Sequence, residues 1–241
     1  MRPVNKGKSP YKRISNYGDA LPYLEERIGA YCSYCGMRIN HVPAVEHVVS
    51  KSKGGDRTAW ENLLLACTYC NSRKKEKTTP ENKGDYLWPH EYNTALAYHY
   101  YDGEPKIDRE ALLRADESGD AVRMAENLFD LVKLGNNPGP KEKDRRFHSR
   151  NEAFDVATRS FEDFERAKGT SFERPYRATI IDLAKVYGFF SVWMEVFQDE
   201  PEVKRELLRL FPGTELRFFD EDGNVKPIIR LDLTDKQDGD T

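Results

Sequence analysis

Tyr31-Cys32-Ser33-Tyr34-Cys35, Val45-Glu46-His47-Val48, Trp60-Glu61-Asn62 and Cys67-Thr68-Tyr69-Cys70-Asn71 all fall between residues 31 and 77. Two Cys-x-x-Cys pairs, 31 residues apart, bracket an acidic residue joined to a histidine, and they hold the only 4 cysteines of the 241-residue chain. Four thiolates at this spacing make a closed, tetrahedral structural zinc site. Two disulfides or four unpaired core cysteines are the alternatives. Met1-Arg2-Pro3-Val4-Asn5-Lys6 has none of the apolar run of a secretory signal, so a reducing, cytoplasmic compartment is expected and disulfides are not. Zinc on Cys32, Cys35, Cys67 and Cys70 is the expectation.

The residues between the pairs carry different chemistry. Ala44 to Val49 is rich in β-branched residues, which suggests a short strand whose neighbouring side chains point to opposite faces. Glu46 and His47 would then do different jobs. A glutamate offers a hard oxygen to Mg2+, whereas a neutral imidazole can take a proton from water at neutral pH. Asn71 directly follows the last cysteine, so zinc would fix the start of its helix and aim its amide, giving the metal a second oxygen ligand. Asn62 precedes the apolar run Leu63-Leu64-Leu65-Ala66, where it could hold the catalytic loop or orient the imidazole. Taken singly, each asparagine reads as a turn or cap residue; beside four cysteines and Glu-His, each gains a functional role.

The formal net charge of −3 argues against a nucleic-acid binder until it is divided along the chain. Residues 1–90 hold 15 Lys and Arg against 9 Asp and Glu, a balance of +6, while residues 91–241 hold 23 against 32, or −9. Four thiolates with a zinc would leave the first part at about +4. Attraction to phosphate therefore belongs to the N-terminal part. Lys51, Lys53, Arg73, Lys74, Lys75 and Lys77 surround the motif as candidate phosphate contacts, with a solvated charged face as the other reading.

In chain order, a basic arm from Arg2 to Arg13 either lies along a phosphate backbone or packs on the domain. Leu21, Leu24 and Ile28 then predict a short helix ended by Gly29. Asp85-Tyr86-Leu87-Trp88-Pro89 reads as an aromatic patch packed inward. Residues 97–107 predict a hairpin about Asp102-Gly103. A helical stripe runs from Ala121 to Val132, a second from Phe147 to Phe164, a third from Ile180 to Phe197, and Pro201 opens a fourth. A second hairpin is expected at 216–229 about Asp222-Gly223-Asn224. No transmembrane run appears, and residues 235–241 read as a disordered tail.

The stretch 31–77 resembles the HNH endonuclease family, the ββα-metal nucleases, in the version with two Cys-x-x-Cys pairs. The matching residues are Cys32-x2-Cys35, Glu46-His47, Ser52-Lys53-Gly54-Gly55, Asn62-Leu63 and Cys67-x2-Cys70-Asn71-x2-Lys74. The resemblance implies His47 as general base, Glu46 and Asn71 as ligands of one catalytic divalent metal, and Asn62 as the middle asparagine of the family name. Many members carry Asp or His where Glu46 stands, and the final His of the name is here Asn71. Two oxygen donors favour Mg2+ or Mn2+ over a softer metal. Phosphodiester hydrolysis leaving a 5′-phosphate and a 3′-hydroxyl is implied, on DNA by family default and on RNA as the alternative.

Outside that stretch, Asn16-Tyr17-Gly18-Asp19-Ala20, Asp85 to Pro89, and Phe190-Ser191-Val192-Trp193-Met194 leading to Phe211-Pro212-Gly213-Thr214 are similar to the HNH subunit of Septu-type bacterial anti-phage defence systems and related retron-associated nucleases. This likeness implies an ABC-type ATPase as partner. The expectation is an α+β chain: a zinc-stapled ββα-metal nuclease domain over 1–90, then a mainly α-helical C-terminal domain over 91–234. A zinc-knuckle module that binds nucleic acid or a partner without catalysis is the reading it competes with. Such a module would need the cysteines but not Glu46 or His47.

Overall fold

Leu21, Leu24 and Ile28 recur at helical spacing and form helix α1 (Leu21–Ile28), which starts with a proline in its first turn and stops at Gly29. A 3-10 turn over Tyr17–Ala20 feeds into it, closed by reciprocal capping. The Gly18 N–H donates to the Asn16 side chain, and the Asn16 N–H donates to Asp19. The computed structural model describes residues 1–231, so the tail expected at 235–241 lies outside the described residues.

Two short strands, β1 (Ala44–His47) and β2 (Leu63–Ala66), pair antiparallel with Glu46 opposite Leu64 and His47 opposite Leu63. All of β2 is buried, as its unbroken apolar run requires. Helix α2 (Thr68–Lys74) follows at once, with the Cys67 sulfur accepting the Cys70 N–H as its N-cap. Strand, strand and helix make the expected ββα unit, and a largely helical region comes after it.

That region holds α3 (Thr94–Ala97), the hairpin β3 (Tyr98–Tyr101) and β4 (Glu104–Ile107), α4 (Arg109–Ala115), α5 (Asp120–Leu131), α6 (Arg146–Ala167), α7 (Glu173–Tyr187), α8 (Phe190–Val196) and α9 (Pro201–Leu210). One apolar core gathers Leu24, Leu63 to Ala66, Leu87 and Trp88, and runs on through Tyr98, Leu112 and Leu128 to Leu134. A second gathers Phe164, Ile180, Phe190, Trp193, Phe197, Leu207 and Phe211. Among the described residues no helix is long and apolar enough to cross a membrane.

Two sequence expectations are corrected here. The helix expected over Ile180 to Phe197 is broken between α7 and α8, where Gly188 (φ 73°) and Phe189 (φ 55°) take positive φ. The break is a docking point: Phe189 N–H donates to the Gly36 carbonyl at 2.7 Å, and Gly188 bridges to Met37 in the loop of the first cysteine pair. A Cβ at position 188 would lie 2.9 Å from both the Arg38 nitrogen and the Gly36 oxygen, so only glycine closes this contact. The hairpin expected at 216–229 shrinks to one bridge, Phe219 to Val225, after a 3-10 turn over Leu216–Phe218. Asn93 takes the returning arm, reaching the carbonyls of Lys226, Ile228 and Ile229, so those groups are not left for a strand partner.

The N-terminal arm is packed at its start. Arg2 is buried and donates to the carbonyls of Ile28, Phe211 and Pro212, while buried Lys6 donates to those of Trp60 and Leu63. Lys12 and Arg13 stay exposed.

Candidate active site and metal centre

The sulfurs of Cys32, Cys35, Cys67 and Cys70 lie within 4.8 Å of one another, and all four residues are buried and free of disulfides. Cys35 Sγ and Cys67 Sγ are 3.8 Å apart, close to the edge of about 3.8 Å of a sulfur tetrahedron around zinc with Zn–S bonds of about 2.3 Å. The sulfurs do not ionise together unaided. Hydrogen bonds with Cys32 and Cys35 push the Cys67 thiol up, and burial does the same to Cys70. Burial opposes ionisation of Cys32 as well, yet hydrogen bonds from the other three cysteines take it well below its ordinary value. A divalent cation bound in such a set would favour its thiolate forms. The donor set fits zinc.

Glu46, His47 and Asn71 line one cavity of about 220 Å3, together with Tyr17, Lys51 and Lys75 among others. His47 Nε2 lies 3.0 Å from the Arg57 carbonyl oxygen. A carbonyl only accepts, so Nε2–H donates and Nδ1 is left unprotonated. Tyr17 packs edge-on against the imidazole with ring centroids 4.8 Å apart. Burial lowers the His47 pKa, with the Arg57 hydrogen bond acting the other way, which leaves the ring neutral at neutral pH.

Glu46, next to His47 on β1 and lining the same cavity, is 2% exposed. Its carboxylate meets Lys74 Nζ at 2.8 Å and accepts from the Tyr34 hydroxyl. A carboxylate has about four acceptor sites, so two partners orient it without exhausting it. Asn71 is exposed on α2 and presents its side chain to the cavity. Asn62 is buried and stands off the cavity, its amide oxygen accepting the Val49 N–H at 2.7 Å and its nitrogen donating to the carbonyls of Val49 and Asp56. Of the two roles open to it, these are the bonds of a loop clamp. The clamped loop also needs Gly55, where a Cβ would sit 2.1 Å from the Val49 oxygen.

A zinc-competent cluster, a fixed imidazole and two oxygen donors on a ββα unit now stand together. Residues 32–77 match the HNH endonuclease family. No curated protein and no solved structure matches the chain. The HNH domain carries nuclease chemistry and contact with nucleic acid as its family implication.

Within this HNH domain the basic residues divide. Lys51 and Lys75 are exposed at the cavity, and Lys51 Nζ stands 4.5 Å from the Tyr17 ring centroid. Lys53 and Lys77 are exposed but line no part of it. Arg73 turns away, to Glu142 at 3.3 Å and Asp144 at 3.9 Å. Lys74, expected as a phosphate contact, is 1% exposed. Its ammonium is spent on Glu46, on the His47 carbonyl at 2.6 Å and on the Thr78 hydroxyl at 2.7 Å. That corrects the reading: Lys74 ties α2 to β1 from inside and is out of reach of a phosphate. Removing one partner of such a buried pair costs about 3–5 kcal/mol.

Sequence reasoning missed Tyr17, Tyr34 and Arg146. The capping box at Asn16 and Asp19 was a local signal that Tyr17 sits on a fixed turn. Arg146 had no such signal, since its contact spans 76 residues: its Nη1 lies 3.2 Å from Cys70 Sγ. The same guanidinium, 2% exposed, donates to the carbonyls of Val132 and Lys133 and pairs with Asp144 at 2.7 Å. It therefore ties the metal centre to α5 and α6. An outer partner of this kind supports a metal site about 10- to 100-fold in affinity. Arg146→Met should release zinc to a chromophoric chelator at least about 10-fold faster than wild type. Asp144→Ala, which breaks the ion pair and leaves the sulfur contact, should retain it; equal release from Arg146→Met and wild type would contradict this role.

Proposed function

We propose that the chain is a metal-dependent endonuclease that hydrolyses nucleic-acid phosphodiesters, most readily DNA, with His47 as general base. The observation that carries this reading is the His47 ring, fixed by the Arg57 carbonyl, sharing one cavity with the oxygen donors of Glu46 and Asn71. Nδ1 of His47 takes the proton of the attacking water. Lys51 and Lys75 bring positive charge to the phosphate. Asn62 keeps the loop after β1, and with it the Arg57 carbonyl, in place. The Glu46 carboxylate and the Asn71 amide oxygen would hold Mg2+ or Mn2+, which when bound supplies charge neutralisation at the leaving 3′ oxygen.

We further assign cutting to residues 1–90 and partner binding to residues 91–234, as the effector nuclease of an anti-phage defence complex with an ABC-type ATPase. Support for this comes from the sequence likeness to Septu-type subunits and from the charge division of +6 and −9. Trp193 and Phe197 are fully buried, with rings 10° from parallel, so they serve the core. Phe172 and Val186, 71% and 57% exposed at opposite ends of α7, are the better partner contacts.

Wild-type protein should nick supercoiled plasmid with Mg2+ or Mn2+, and His47→Ala should lose about 100- to 10,000-fold in rate while keeping its zinc. Wild-type cutting by the variant would remove His47 from the mechanism. If neither protein cuts DNA or RNA, even with the ATPase added, a binding module without catalysis is what remains. In size-exclusion of the chain co-expressed with the ATPase of such a system, wild type should co-elute and Phe172→Asp/Val186→Asp should not. Separate elution of the wild type would end the partner assignment.

A further inference from the structure

Tyr17 belongs to two cavities. One is the His47 cavity; the other, of about 660 Å3, is lined by Arg13, Ile14, Ser15, Asn16, Arg57 and Thr58 along with Tyr17, so Ile14 is its one aliphatic side chain. No acidic side chain lines this second groove. Arg13 and Arg57 are both exposed, and neither has a carboxylate partner among the described residues. The nearest acid in sequence, Asp56, is turned onto its own backbone, accepting the N–H groups of Thr58 and Ala59. Elsewhere exposed arginines such as Arg109, Arg114, Arg123 and Arg166 are paired to acids. Other unpaired arginines, Arg174 and Arg209 among them, line neither cavity.

Both walls of the groove are keyed to the catalytic base. The carbonyl of Arg57 holds His47 Nε2, so the residue that offers a guanidinium to the groove is fixed at its backbone by the imidazole. On the other wall, the capped turn that begins at Asn16 sets Tyr17 against His47. Two guanidinium forks with hydroxyl donors and no opposing acid suit an extended phosphate chain rather than a cation or an apolar ligand.

We propose that this groove is a second phosphodiester-binding subsite, in which Arg13 and Arg57 take backbone phosphates flanking the scissile one and Tyr17 forms the wall between the two cavities. The inference rests on the nuclease reading above and adds Arg57, within the matched segment, and Arg13 and Tyr17, outside it, to the substrate path. Its occupant is the phosphodiester backbone, common to DNA and RNA.

The test uses the full chain carrying His47→Ala, so that binding is read without cutting, with labelled duplex DNA, single-stranded DNA and RNA of one sequence over a range of salt. Adding Arg13→Ala/Arg57→Ala should flatten the slope of log K against log salt by roughly 2 on duplex DNA, and raise Kd on the order of ten-fold at about 0.15 M salt. Adding Arg174→Ala/Arg209→Ala, which removes the same charge elsewhere, should leave the slope as it was. The polymer with the larger change identifies the natural occupant. If the groove pair and the control pair give the same slope while the parent binds, the groove is no subsite and the nuclease reading stands. If the parent binds none of the three polymers, the nuclease reading and the groove fall together.

Discussion

Four buried sulfurs within 4.8 Å of one another hold this molecule's working parts in place. They join the loop after α1 to the N-cap of α2, across 31 residues of intervening chain. The direction of α2 follows from that closure, and α2 in turn presents Asn71 to the cavity and sends Lys74 back to Glu46. Through Arg146 the cluster also reaches the start of α6, and through Gly36 and Met37 the loop of its first pair receives the break between α7 and α8. The centre is thus a junction between the HNH domain and the helices.

The motif residues were legible because their chemistry depends on local spacing. Two x2 cysteine pairs offer four sulfurs to one metal once the chain brings them together, and a Glu-His step sets a hard oxygen donor beside a base. Lys74 was misread because an i+4 step from Cys70 says nothing of which way an α2 side chain points; burial against Trp88 and Glu46 decided it. Arg146, the positive φ of Phe189 and the capture of 226–229 by Asn93 all depend on partners far along the chain, which periodicity cannot report. Asn62 lay between: its type predicted a clamp or an orienting group, and only the bond to Asp56 distinguished them.

Counting charges along the sequence also overstates what the surface offers a polyanion. Arg2, Lys6, Lys74, Arg146 and Arg150 are all buried, and each is spent on backbone carbonyls or on an internal acid or sulfur. Burial lowers the Lys6 ammonium to a pKa of about 7, the behaviour of an internal donor and not of a phosphate contact. The positive face left to a substrate is therefore smaller than the balance of residues 1–90 suggests. Of that face, Lys51, Lys75, Arg13 and Arg57 meet the two cavities beside Tyr17.

The central claim, that the sulfur cluster holds the catalytic geometry, is tested most directly by removing its metal from otherwise intact protein. Zinc content and plasmid cleavage would be followed together as a thiol-competing chelator strips the zinc, with Mg2+ held in excess throughout. The account predicts about one zinc per chain at the start and a loss of cleavage in step with its release, restored when zinc is returned. Cleavage that persists undiminished in zinc-free protein would contradict it.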